Sequence, residues 1–93
     1  MRDIMVNFII LMKVRRDSIR SVAEHLASLP EISEVYSVTG SYDLVVIVRA
    51  KTNDDVSDLV TGQLGSIDGI EETDTMLAFK AYSRHDLEAM FSI

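Results

Sequence analysis

Val35-Tyr36-Ser37-Val38-Thr39-Gly40-Ser41-Tyr42-Asp43-Leu44-Val45-Val46-Ile47-Val48 places two apolar segments on either side of a Gly-Ser turn. Leu44 to Val48 is rich in β-branched residues and continues to Ala50, which reads as a buried strand. Glu34–Thr39 reads as a second strand, joined to the first through Gly40-Ser41. A helical stripe flanks this hairpin on each side. Before it, Ile19, Val22, Ala23 and Leu26 fall at i, i+3, i+4 and i+7. After it come Val56, Leu59, Val60, Leu64 and Ile67. Asp17 or Ser18 is the expected cap of the first helix and Asn53 or Asp54 that of the second. Leu29-Pro30 and Asp68-Gly69 close them. Two outer strands complete the pattern, within Ile4–Val14 and Ile70–Tyr82.

The two halves are copies of one unit. At an offset of 38, Val6–Thr39 lies over Leu44–Leu77 without a gap, and 8 of the 34 positions are identical. These include Ile9/Ile47, Lys13/Lys51, Asp17/Asp55, Leu26/Leu64 and Glu34/Glu72. Average composition yields roughly two such matches by chance. The unit is β-α-β, so the chain reads βαββαβ. Two right-handed crossovers joined by a hairpin predict an α+β, ferredoxin-like fold: a four-stranded antiparallel sheet with both helices on one face.

Length and composition agree with this reading. The 93 residues are 47% apolar and 26% charged, with one Pro and four Gly, which suits one compact domain. Residues 1–83 are assigned to that domain and 84–93 to a tail or short helix. There Ser83-Arg84-His85-Asp86 resembles a capping box ahead of Leu87, Met90 and Phe91. The absence of Cys excludes disulfides, thiolate nucleophiles and Cys-ligated metals. A net charge of −6 argues against direct nucleic-acid binding, and Arg15-Arg16 is expected to be solvated loop charge. The apolar run Ile4–Met12 is too short to span a bilayer and lacks the flanks of a signal peptide. The expectation is a cytoplasmic protein without a membrane partner.

The sheet face away from the helices is the informative one. A sheet covered on one side should alternate apolar and polar, and these strands do not. Asn7, Ile9, Leu11 and Lys13 are expected to point away from the helices in strand one. Asp43, Val45, Ile47, Arg49 and Lys51 do so in strand three, and Thr73, Thr75, Leu77 and Phe79 in strand four. Ile9, Leu11, Val45, Ile47, Leu77 and Phe79 would form an exposed apolar patch too large for a monomer. A second sheet face is expected to cover it. Asp43, the Gly40-Ser41 turn, Thr73 and Thr75 border the patch with a carboxylate, hydroxyls and turn N–H groups. Such a set suits a free amino acid.

The Val35–Val46 stretch resembles the V-x-x-V-x-G-x-x-D-x-x-V element of the Lrp/AsnC ligand-binding domain, also called the RAM domain. Ile70-Glu71-Glu72-Thr73-Asp74-Thr75 resembles that family's I-x-x-T-x-T element, and the likeness extends over about residues 4 to 83. It implies a sheet-to-sheet homodimer, commonly assembled into an octamer-like ring, with an amino-acid effector held where dimers meet. Carried over by motif, the ligand-binding candidates are Gly40, Ser41, Tyr42 and Asp43, with Thr73 and Thr75. Gly40 permits close backbone approach; Tyr42 would wall the effector side chain and Asp43 would take its ammonium. Full-length members carry an N-terminal helix-turn-helix that this chain lacks. The resemblance therefore implies a stand-alone version, acting alone or co-assembled with full-length regulators as an accessory of transcriptional regulation of amino-acid metabolism.

Two other classes compete. Small ferredoxin-like chains also dimerise into α/β-barrel enzymes of monooxygenase or isomerase type, which usually need a general base in a closed cavity. The only histidines, His25 and His85, offer no metal-ligand spacing and no nucleophile partner, so no catalytic residue, metal or cofactor is expected. An ACT-type sensor shares the topology but would pair its sheets side by side.

Overall fold

A computed structural model describes residues 5–80, Tyr82 and Arg84. The order is β1 (Val6–Val14), a 3₁₀ turn (Arg16–Ser18), α1 (Ile19–Ala27), β2 (Ile32–Ser37), β3 (Leu44–Ala50), α2 (Asn53–Asp58) and β4 (Ile70–Ala78). Between α2 and β4 the helix continues as a π turn over Leu59–Gln63 and a 3₁₀ turn over Leu64–Ser66. All neighbours in the sheet are antiparallel, in the order β2-β3-β1-β4. This is the ferredoxin-like arrangement expected from the repeat. The proposed C-terminal helix, with His85, lies outside the described residues.

The two crossovers bury one face of the sheet. Ile10 and Met12 of β1 and Leu44, Val46 and Val48 of β3 are wholly buried against Val22, Leu26 and Leu59 of the helical layer. Burying side chains of this size contributes about 1.5–3 kcal/mol each. In α1 the predicted stripe holds: Val22 and Leu26 are buried, with Ile19 and Ala23 packed at the margin. In the second crossover the stripe survives, but the helix does not stay regular. Val56, Leu59 and Leu64 are buried. Between them the backbone widens into the π turn, where the Thr61 hydroxyl donates to the Ser57 carbonyl at 2.7 Å.

The caps differ from expectation. Thr52, rather than Asn53 or Asp54, caps α2: its Oγ1 accepts the Asp55 N–H at 3.1 Å. Ser18 occupies the N-cap of α1 without making a cap bond. Its hydroxyl accepts from Arg15 and donates to Asp17 instead. Gly69 precedes β4 at φ +105, and a Cβ there would stand 2.8 Å from Ser18 Cβ. The Gly69 carbonyl accepts the Arg15 N–H at 2.7 Å, tying the start of β4 to the end of β1.

Register overturns one expectation. In an antiparallel ladder, directly opposed residues share a face. β4 sets Thr73 opposite Met12, Thr75 opposite Ile10 and Leu77 opposite Phe8, all on the helix side. Thr73, Thr75 and Leu77 therefore do not point away from the helices. Met76, opposite Ile9, and Asp74, opposite Leu11, do. Phe79 lies beyond the end of β4 and is 94% exposed.

Candidate functional site

The face without helices carries Ile9 and Leu11 from β1, Val45 and Ile47 from β3, Tyr36 from β2 and Met76 from β4. Ile9, Leu11, Val45 and Ile47 are half-buried by their neighbours, while Met76 and Tyr36 are 39% and 48% exposed. The apolar patch read from strands one and three is present, with Met76 in the place expected for Leu77. At one end it opens into a cleft of about 520 Å³ that includes Asn7, Ile9, Ile47, Arg49 and Phe79. The Asn7 Oδ1 there is buried and has no hydrogen-bond partner among the described residues.

Charged and polar residues frame the patch. Lys13 Nζ meets Glu72 at 3.5 Å and lies 5.8 Å from the centre of the Tyr42 ring. The Tyr36 hydroxyl donates to Glu34, whose carboxylate raises the phenol's pKa by stabilising its proton. Arg49 lies opposite Asn7, with no carboxylate in ion-pair contact among the described residues.

The Gly40 turn stands beside this face. Gly40 adopts φ +118, is exposed, and has open space where a Cβ would be. Among the described residues the N–H groups of Gly40, Ser41 and Tyr42 donate to no backbone carbonyl. Three donors in one exposed turn can receive an anion. Asp43 has a structural task as well. Its Oδ2 accepts the Val14 N–H at 2.8 Å, and its own N–H donates to the Met12 carbonyl at 2.8 Å.

The six sequence-predicted ligand residues fall into two groups. Gly40, Ser41, Tyr42 and Asp43 share the turn. Thr73 and Thr75 lie two strands away on the helix side. Thr75 lines a cleft of about 370 Å³ with Phe8, Val56, Val60 and Leu77. Thr73 lines another of about 210 Å³ with Leu64, Ile67 and Ile70. The repeat carried a signal for this split: Thr73 corresponds to Val35, which opposes Val46 on the helix side.

Arg15 is not simply solvated. It reaches Asp17 at 2.7 Å, Ser18 at 2.9 Å and Asp68 at 3.1 Å, and its hydrogen bonds hold both carboxyls below the usual aspartate range. His25 lies on the exposed flank of α1. No helix of the described residues is long and apolar enough to cross a membrane.

A family model for the Lrp/AsnC ligand binding domain matches residues 7–87. The HTH-type transcriptional regulator FL11 of Pyrococcus horikoshii is 42% identical over 73 residues, which are 78% of this chain and 48% of the regulator. The chain thus spans about half the length of the curated relatives it matches. Among solved structures, TTHA0845 from Thermus thermophilus is 43% identical at a TM-score of 0.79, covering 85% of this chain and 99% of that one. E. coli AsnC is 25% identical at a TM-score of 0.76, covering 82% and 52%.

Proposed function

The chain belongs to the Lrp/AsnC ligand-binding domain family, and from that premise we propose that it is an amino-acid effector-binding and oligomerisation domain without catalytic activity. Its bare sheet face is covered by a second copy, and its Gly40 turn receives the effector at a contact between dimers. The assembly acts in the cytoplasm as an accessory of transcriptional regulation, by itself or joined to full-length regulators.

The observation that carries this reading is the Gly40–Asp43 turn beside the apolar patch. It presents three N–H donors that use no backbone acceptor, next to the Tyr42 ring and the Asp43 carboxylate. An α-amino acid needs donors for its carboxylate, acceptors for its ammonium and a wall for its side chain. One oxygen of Asp43 is engaged by Val14, which leaves the other to face an ammonium. Thr73 and Thr75 cannot complete the same pocket within one protomer, because β1 and the thickness of the sheet intervene. In this reading they line it from a neighbouring subunit. An effector at such a contact changes assembly only through its different affinity for the assembled and separate states.

Titration calorimetry over the twenty amino acids, paired with sedimentation in the presence and absence of each, tests the proposal. Saturable heat from one or a few amino acids, with a change in oligomer size, is expected. Silence from all of them would leave only the assembly role, and a monomer at micromolar concentration would remove that too.

A further inference from the structure

The two halves of the chain repeat in sequence but close differently. In the first, Arg15 ties the start of the crossover to the turn before β4. Its guanidinium binds Asp17 and Asp68, and its N–H reaches the Gly69 carbonyl. The second half keeps the first of these acids, since Asp17 corresponds to Asp55. Arg15, however, corresponds to Asn53, which is uncharged and lines a different cleft. Strand pairing differs as well. Val14 opposes Ile70, whereas their counterparts Thr52 and Ile32 do not meet, because Ile32 opposes Val48. β2 is thus displaced along β3 by four residues, about 13 Å. The Glu31 carbonyl accordingly accepts the Arg49 N–H at 2.9 Å, short of the start of α2.

That displacement leaves a cleft of about 420 Å³ between the turn before β2 and α2. Glu31, Asp55 and Asp58 line it, with Met5, Pro30 and Leu59 as its apolar wall. None of the three carboxylates has an ion-pair partner among the described residues. Glu31 Oε2 is buried and has no hydrogen-bond partner there either, an arrangement that costs free energy until a donor arrives. Arg49 and Lys51 also line the cleft, from the end of β3, and neither is in ion-pair contact with an acid. Where the first half holds a guanidinium between carboxylates, the second half holds carboxylates and a space.

We propose that this cleft binds a small organic cation, a guanidinium or ammonium group on a short alkyl stem. The head occupies among Glu31, Asp55 and Asp58 the role that Arg15 has between Asp17 and Asp68, and it donates to the unpartnered Glu31 oxygen. The stem lies along Met5 and Pro30. A metal ion does not suit the site, since among the described residues no three acids converge closely enough to hold one. The site is distinct from the Gly40 turn, whose free N–H groups call for a carboxylate rather than a cation.

The test is titration of the full chain with butylguanidinium, followed through backbone amide NMR shifts. The probe carries no carboxylate, so it does not report on the Gly40 turn. Saturable shifts at Glu31, Asp55 and Asp58, with a dissociation constant on the order of millimolar, are expected for a ligand of this size. Butylurea keeps the planar head and the stem without the charge, and it should not bind. Glu31→Gln and Asp55→Asn should each weaken binding roughly fivefold, with circular dichroism confirming that both variants fold. Asp17→Asn, at the junction that Arg15 already fills, should leave binding unchanged. Equal binding of butylurea, or binding that neither Glu31→Gln nor Asp55→Asn weakens, would overturn the proposal in favour of apolar contact alone. No saturable shift up to about ten times that concentration would overturn it outright. Binding that appears only in Lys51→Ala would also overturn it, by showing that Lys51 itself fills the cleft.

Discussion

The Asp43 side chain adds one rung to the β1–β3 ladder: its Oδ2 accepts the Val14 N–H at 2.8 Å, where β3 has not yet begun. The carboxylate stands in for a backbone carbonyl and joins the end of β1 to the turn that starts at Gly40. An Asp three residues after that Gly therefore shapes the turn as well as charging it.

Asp43→Ala should leave the Val14 N–H without an acceptor in a half-buried position and cost about 1–3 kcal/mol. Asp43→Asn keeps an acceptor oxygen and should cost less than half as much. Urea unfolding of the two variants separates the roles. An Asn variant that folds well yet binds no amino acid would assign the negative charge to the ligand and the oxygen to the fold.

Gly69→Ala and Gly40→Ala should differ, although both glycines have positive φ. At Gly69 a methyl group meets Ser18 Cβ at 2.8 Å, so backbone strain and overlap add to several kcal/mol. At Gly40 the space is open, and the cost is the left-handed backbone alone, about 1–2 kcal/mol. Thermal unfolding should rank Gly69→Ala clearly below Gly40→Ala. Equal losses would mean that the contact with Ser18 yields freely.

Acid should loosen the junction of β1, α1 and β4. Hydrogen bonds from Arg15 lower the pKa of both Asp17 and Asp68. Both therefore bind protons more weakly folded than unfolded. Their contribution is complete above the ordinary aspartate value of about 4, and it is lost as pH falls through their lower folded values. In Arg15→Met the two carboxyls should titrate near the ordinary value by NMR, and acid unfolding should begin at higher pH. Unchanged carboxyl titration in that variant would show that Arg15 does not hold them.

Ile47→Lys and Leu26→Ala should separate assembly from folding. Ile47 lies half-buried on the bare face opposite Ile9, so a charge there should weaken self-association at least tenfold with little effect on the monomer's fold. Leu26 is wholly buried under α1, and its truncation should cost about 2–5 kcal/mol. Sedimentation and denaturant unfolding read the two effects. An Ile47→Lys chain that assembles normally would put the interface elsewhere.

Much of the fold is legible in the sequence because its strands bury unlike amounts of apolar surface on two faces. Leu44, Val46 and Val48 alternate with Val45, Ile47 and Arg49, so period two assigns their sides once the helices are located. The edge strand offers no such contrast. In Glu71 to Leu77 every residue is exposed, since the short α2 and its π turn leave the edge uncovered. Polar residues on both sides make its facing ambiguous, which is why the pattern alone puts Thr73, Thr75 and Leu77 on the wrong side. The cap of α2 falls one residue from its expected place for a similar reason: Thr52, Asn53 and Asp54 can all cap, and only backbone geometry chooses among them.

By itself, then, the order of residues determined the βαββαβ topology, the helix-facing stripes and the apolar run that leaves Ile9, Leu11, Val45 and Ile47 bare. Those are local periodicities, and hydrophobic burial enforces them wherever the chain folds. Tertiary structure alone decided which side of β4 faces the patch and that Asp43 completes a ladder. Each of these depends on pairing register between strands far apart in the chain, and a shift of one residue would reverse every face.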